Sequence, residues 1–185
     1  GWEKGPSGLW EHSLAVAILS RRIGQELGVQ DPEECMVAGL LHDLGKVILS
    51  HLALEDYLEV IRRAHERGCH VSEVEREVFG VDHTRIALWL ALRWHLPDSL
   101  TDALTCHHAP SRAKCSPQMA AIVHLADILA RAQEYGEPGD GTLPALEREA
   151  FDSLGLNDAQ LDQIMTEANE RYREGAEVMT AGMRS

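Results

Sequence analysis

The chain has 185 residues, 44% of them hydrophobic, enough for one domain with its own core. Its 17 lysines and arginines face 30 aspartates and glutamates, and the net charge of −13 repels a polyanion over most of the surface, so no DNA or RNA partner is expected. With no run of about 18 apolar residues and no charged-then-apolar leader, no membrane span or signal peptide is expected, and the four cysteines (Cys35, Cys69, Cys106, Cys115) form no C-x-x-C pair, which suits reduced thiols in a cytoplasmic protein.

The punctuation is helical throughout. Residues 1–8 read as an N-terminal tail and 9–183 as a single domain. From Leu9 to Leu27, His12, Val16, Leu19, Ile23 and Leu27 form one apolar stripe, closed by Gly28. Asp31-Pro32-Glu33-Glu34 predicts a capped helix start, and Gly45 predicts its end just beyond His42-Asp43. A third helix is expected over about 48–67, stopped by Gly68. Ser72 and Glu75 read as a capping box for a short helix ending at Gly80. Asp82 caps the next, with His83 in its first turn. Pro97 opens a segment ending at His107-His108, and Ser116-Pro117 opens another that carries Asp127 on an apolar stripe. A Gly/Pro/Asp-rich loop at 136–144 precedes two last helices, near 144–153 and 158–180. No strand alternation and no repeat is visible. The expectation is an all-α, compact bundle of about seven to nine helices.

The most informative word is Gly39-Leu40-Leu41-His42-Asp43-Leu44-Gly45-Lys46. An apolar run carries an adjacent His and Asp to the edge of a core, where either side chain left unpaired is costly. A divalent metal resolves that conflict, because it takes an imidazole nitrogen and a carboxylate oxygen together. His12, His83, the pair His107-His108 and Asp127 carry the same ligand chemistry, giving the order H, HD, H, HH, D along the chain.

That order resembles the HD superfamily of metal-dependent phosphohydrolases, and the flanking words resemble its HDOD branch. The words are Trp10-Glu11-His12-Ser13-Leu14-Ala15, the Leu-Leu-His-Asp-Leu-Gly-Lys run, residues Glu75 to His83, Arg93-Trp94-His95-Leu96-Pro97, His107-His108, and Val123-His124-Leu125-Ala126-Asp127. The resemblance spans roughly residues 8–180 and implies an HD-domain-like helical fold. HDOD proteins carry a further helical segment ahead of the first His, whereas eleven residues precede His12 here, so the chain resembles the C-terminal part of such a domain. The related HD-GYP branch has Gly-Tyr-Pro after its His-His; Ala109-Pro110-Ser111 stands here, so its cyclic di-GMP activity is not carried over.

By the resemblance, His12, His42, Asp43 and Asp127 would hold one metal. Asp43 would bridge to a second, completed by His83, His107 and His108. Seven donors exceed what one four- to six-coordinate ion needs, which favours two divalent transition-metal ions; Fe, Mn, Zn and Ni all suit the donor set. Asp43 and Lys46 would be catalytic, Lys46 contacting a phosphate, although a plain cation at a helix end reads equally well. His51, His65, His70, His95 and His124 read as structural, with His124 one turn from Asp127. Arg76, Arg85 and Arg93 could contact a ligand, and nothing in the sequence selects among them.

Two functions from different classes follow. One is a phosphohydrolase acting on a small phosphorylated ligand or nucleotide. The other is a catalytically silent signalling or metal-sensing module with a protein partner. A third, a metal-free interaction domain, requires the seven residues to be dispersed in space.

Overall fold

The structure, a computed structural model, describes residues 7–140 and 142–182, with side chains as far as Glu174. Its regular elements are α1 (Ser7–Glu26), α2 (Pro32–Leu41), α3 (Leu44–Leu52), α4 (Leu54–Arg67), α5 (Val71–Phe79), α6 (His83–Trp94), α7 (Asp98–Cys106), a 3-10 turn (Pro110–Arg112), α8 (Pro117–Ala132), α9 (Arg148–Leu154) and α10 (Asp158–Gly182). Among the described residues the protein is all-α. Of the expected tail, Ser7 and Gly8 already belong to α1, and residues 1–6 lie outside the described residues.

Several signals act as expected. The Asp31 carboxylate accepts from the backbone N–H of Glu33 (3.1 Å) and Glu34 (3.2 Å), with Pro32 at the first helical position. Gly68 and Gly80 close α4 and α5 in the left-handed region, at φ 58° and 74°.

Three local expectations are corrected. Gly45 does not end a helix. The helix stops at Leu41, His42-Asp43 forms the turn, and Gly45 lies inside α3. The reason is packing: a Cβ at position 45 would sit 2.0 Å from the carbonyl oxygen of His83. Glycine there lets α3 approach the start of α6. Ser72 is not the cap of α5; His70 is, its Nδ1 accepting from Ser72 N–H at 3.3 Å. Glu75, freed from capping, turns into the core. The stretch expected as one helix over 48–67 is two, broken at Ala53 (φ −147°, ψ 63°).

α1 packs along α2 and also against α8 and α10. Val16, Leu19 and Ile23 of its stripe join Leu104, Ile122 and Ile164 in the larger core. A second core holds Leu49, Tyr57, Val60, Ile61 and Val74 of α3–α5, with Leu9. The segment Pro32–Leu52 has a mean hydropathy of 1.3 over its most apolar window, which is half buried inside the fold. His42, Asp43 and Lys46 interrupt it, so it reads as two consecutive helices of a core, packed on α1, α6, α7 and α8.

Candidate metal centre

The donors come from the ends and inner faces of five elements. His12 lies in the second turn of α1, His42 and Asp43 between α2 and α3, and His83 at the first position of α6. His107 caps the end of α7, His108 follows it, and Asp127 lies inside α8. All seven converge. Asp43, His83, His107 and His108 form one group, and His12, His42 and Asp127 another; within each, the ligand atoms lie within 4.8 Å of one another. Asp43 joins the groups. Its Oδ2 is 3.3 Å from His42 Nε2, while Oδ1 is 3.6 Å from His83 Nε2 and 3.8 Å from His107 Nε2. His12 Nε2 meets Asp127 Oδ1 at 2.9 Å. Six of the seven residues are at most 1% exposed, and His108 is half-buried.

The imidazoles are aimed by their outer nitrogens. His42 Nδ1–H donates to Gly39 O (2.7 Å) and His107 Nδ1–H to Leu104 O (3.2 Å). Glu75 Oε2 accepts from both the Nδ1–H (2.6 Å) and the backbone N–H (2.8 Å) of His83, while its Oε1 accepts from Tyr57 OH (3.0 Å). Donation from Nδ1 leaves the Nε2 lone pair facing inward, the arrangement that orients metal-binding histidines. His83 Nε2 lies 2.9 Å from His108 Nε2, a separation that requires a shared proton or a shared cation. His124 does not reach Asp127. It donates from Nδ1 to His107 O (2.7 Å) and accepts at Nε2 from Glu147 N–H (3.0 Å), which pins the residue carrying the donor.

Around the donors is a buried ionic lattice. Lys46 is not a surface cation at a helix end. It is fully buried, with Nζ 3.0 Å from Asp43 Oδ2, 3.2 Å from Asp140 Oδ2 and 3.1 Å from Pro138 O. Arg131 donates to Asp127 Oδ1 (2.7 Å) and pairs with Asp140. Asp140 also accepts from Val71 N–H (2.8 Å) and lies 3.2 Å from His70 Nε2. The His70 ring is 4.3 Å from that of His108. In the sequence Glu75 reads as a capping residue and His70 as structural, while Arg131 and Asp140 are not singled out. Arg131 has a usable signal, being one turn after Asp127 on the same helix. Asp140 has none, because it sits in a loop and acts across the fold.

The electrostatics are unbalanced. Burial opposes ionisation of Asp43, yet His42 and Lys46 hold its carboxyl well below the usual range. Burial likewise opposes charge on Asp127, and Arg131 and His12 overcome it. Glu75 and Asp140 are also lowered, against burial, chiefly by His83 and by Lys46 respectively. Burial pushes His107 and His108 well down, helped by neighbouring imidazoles. Four buried carboxylates therefore stand against two buried cations, Lys46 and Arg131. Only His83, raised by Glu75 against burial, leans toward protonation. Meanwhile the Nε2 atoms of His42 and His107, both oxygens of Asp43 and Oδ2 of Asp127 are buried without a hydrogen-bond partner. The Lys46–Asp43 contact is close but lacks hydrogen-bond direction. Bound positive charge fits this donor set on both counts.

The HDOD domain family matches residues 4–110. The chain belongs to the HDOD family. Its match ends before Asp127, Arg131 and Asp140, so that side of the site is added by α8 and the following loop. An HDOD domain protein of unknown function from Geobacter sulfurreducens superposes with a TM-score of 0.76 at 26% identity, covering 91% of this chain and 62% of that one. The MmoQ response regulator of Methylococcus capsulatus gives 0.66 at 26% identity, covering 87% and 61%. Ribonuclease Y of Thermus thermophilus is 32% identical over 154 residues, covering 80% of this chain. The HDOD chain spans only 22% of that relative's length.

Proposed function

We propose that this HDOD domain is a divalent-metal-dependent phosphohydrolase, acting in the bacterial cytoplasm on a phosphodiester or nucleotide. The observation that carries the reading is the excess of buried carboxylate beside inward-facing, unpartnered imidazole nitrogens. Seven donors in two groups joined by Asp43 support two ions. When bound, such ions supply an activated water and a clamp for phosphoryl oxygens. The protein's own residues do the rest. Asp43 presents one oxygen to each donor group and is held by Lys46. Lys46, neutralised by Asp43 and Asp140, orders that carboxylate and reaches phosphate only if one of those contacts opens. Glu75 fixes the His83 ring, and Arg131 fixes Asp127. The name of the Thermus relative supports a phosphodiester as the scissile group. The net charge of −13 favours a short substrate over a long polyanion.

Elemental analysis of the purified protein tests the centre. About two transition-metal ions per chain are expected, with most of the metal gone in Asp43→Ala. Less than a few tenths of an equivalent after reconstitution sinks the dinuclear reading. Turnover of bis-p-nitrophenyl phosphate by the loaded protein, abolished in Asp43→Ala, tests the hydrolase.

One observation favours a second reading, a silent signalling or sensing module. The donors are enclosed, and among the described residues the edge formed by His70 and His108 is the part partly open to solvent. The likeness to a response regulator points the same way. A loaded centre with no turnover on phosphodiesters would decide for it.

A further inference from the structure

We propose that the protein carries a second ligand site, an arginine-lined cavity that takes a small phosphate-bearing anion of nucleotide size. The cavity has a volume of about 470 Å³ and is lined in part by the chain neighbours of His83 and His107, namely Asp82, Thr84 and Cys106. That volume is within the range of small-molecule sites, roughly 300–1,000 Å³. Three arginines from three separate elements line it: Arg76 of α5, Arg85 of α6 and Arg112 of the 3-10 turn.

Their pairing is what distinguishes this cavity. Elsewhere the arginines of this acidic protein are mostly matched, as in Arg21–Glu33, Arg22–Glu26, Arg62–Glu59 and Arg67–Glu77. Among the described residues Arg85 and Arg112 have no carboxylate within ion-pair distance. The cavity's one acid is Asp82, and it is already occupied. Its Oδ1 accepts from Thr84 Oγ1 (2.7 Å) and Arg85 N–H (3.1 Å), and its Oδ2 accepts from Arg76 (2.5 Å). Asp82 therefore fixes Arg76 and the start of α6 without quenching the other two guanidiniums. Two free planar cations facing one cavity match the oxygens of a phosphate, which guanidinium binds bidentately. The hydroxyls of Thr84 and Thr105 have donated their protons, to Asp82 and to Thr101 O, and remain acceptors for ribose or base N–H and O–H groups. The sequence offered Arg76, Arg85 and Arg93 as equals. The fold selects the first two, adds Arg112 and leaves Arg93 outside the lining.

The site goes beyond the metal-centre reading, because none of the seven proposed ligands lines it. It is nonetheless adjacent, since Asp82 and Thr84 flank His83, and Cys106 precedes His107. Cys106 also supplies a local reporter. It lines the cavity, while Cys115 is exposed elsewhere.

The test uses the full chain with AMP and with inorganic pyrophosphate as probes. Calorimetric titration is expected to show binding of AMP that weakens at least tenfold in Arg85→Gln/Arg112→Gln. Both side chains are exposed and unpaired, so the variant keeps the fold. Lys114→Gln, an exposed cation outside the lining, controls for net charge and should leave the affinity within twofold. Peptide mapping after iodoacetamide treatment should show Cys106 protected by AMP and Cys115 unprotected. Unchanged affinity in the double variant overturns the proposal. So does AMP binding that leaves Cys106 unprotected, which would place the nucleotide at the metal centre. If the protein proves free of metal, the cavity should still bind AMP. If it is loaded and Cys106 is never protected, this inference alone fails.

Discussion

The two donor groups are built by different physics. In the group of Asp43, His83, His107 and His108 the imidazoles are aimed mainly by hydrogen bonds: Leu104 O holds His107 and Glu75 grips His83 twice, while Asp43, which joins the two groups, is held by its charge contact with Lys46. The group around Asp127 is held by charge. Asp127 depends on Arg131, which depends on Asp140, which also neutralises Lys46. Hydrogen bonds to local carbonyls fail one at a time, whereas a shared ionic lattice fails as a unit, because each lost partner strands another buried charge.

Arg131→Met is the sharpest way to break that contrast. It keeps most of the side-chain volume but leaves Asp127 and Asp140 without their common cation. Removing one member of a buried pair costs about 3–5 kcal/mol. A urea unfolding curve should show a loss of that size. A loss under about 1 kcal/mol would mean the lattice behaves like a surface ion pair, and the contrast would fall.

Acid probes both halves at once. Burial holds His12, His70, His107 and His108 below their ordinary value. In the unfolded chain they bind protons from about pH 6.5 downward, and the fold refuses those protons. Stability therefore falls as the pH drops through that point. His83 has the opposite sign. Its raised value makes its contribution complete below about 6.5 and lost as the pH climbs through its folded value. Four histidines outweigh one, so the urea midpoint should decline from pH 8 to pH 5. The lowered Asp43 and Asp127 add further loss only in stronger acid, below the ordinary carboxylate range. Release of bound metal acts in the same direction, and repeating the series with chelator separates the two. A midpoint that rises on acidification would contradict the burial of these imidazoles.

Much of this was readable in the sequence, and the part that was not has a physical pattern. Short-range signals worked: Asp31-Pro32, Gly68 and Gly80 act through neighbours within four residues. The seven candidate donors were selected mainly by the resemblance of their order and flanking words to a known family, and the fold brings those seven together. Gly45 was misjudged because glycine means both a helix stop and a close approach, and only the distant His83 carbonyl decides which. Glu75 was misjudged for the same reason. Its capping-box spacing is local, but its partners Tyr57 and His83 arrive from other helices. Asp140 was invisible because nothing about a loop aspartate announces Lys46, more than ninety positions away.

Gly45→Ala tests the contact on which the hydrogen-bonded half is built. Its methyl group would press on backbone, not on a flexible side chain, so α3 and the start of α6 must separate. Overpacking of this kind typically costs about 1–3 kcal/mol. Asp43 and His83 lie on the two sides of the contact, so metal content should fall together with stability. An unchanged melting temperature would show that the α3–α6 approach is looser than these distances require.

The smallest effect on folding, and the most selective, is expected for Glu75→Gln. The amide keeps the shape, and its oxygen can still accept from both His83 N–H groups while its NH2 faces the Tyr57 hydroxyl. It loses the negative charge that draws a proton onto Nδ1 and leaves Nε2 as the inward lone pair. Outer partners of this type typically change metal affinity by about 10–100-fold. Competition with a chromogenic chelator should show a loss in that range, with the unfolding midpoint nearly unchanged. Tyr57→Phe removes the hydroxyl on the far oxygen of the same carboxylate and should give a weaker version of the same result. If Glu75→Gln unfolds the protein but leaves the affinity of the surviving folded fraction intact, Glu75 is packing, not orientation. The two halves would then differ less than their hydrogen bonds suggest, because both would rest on buried charge.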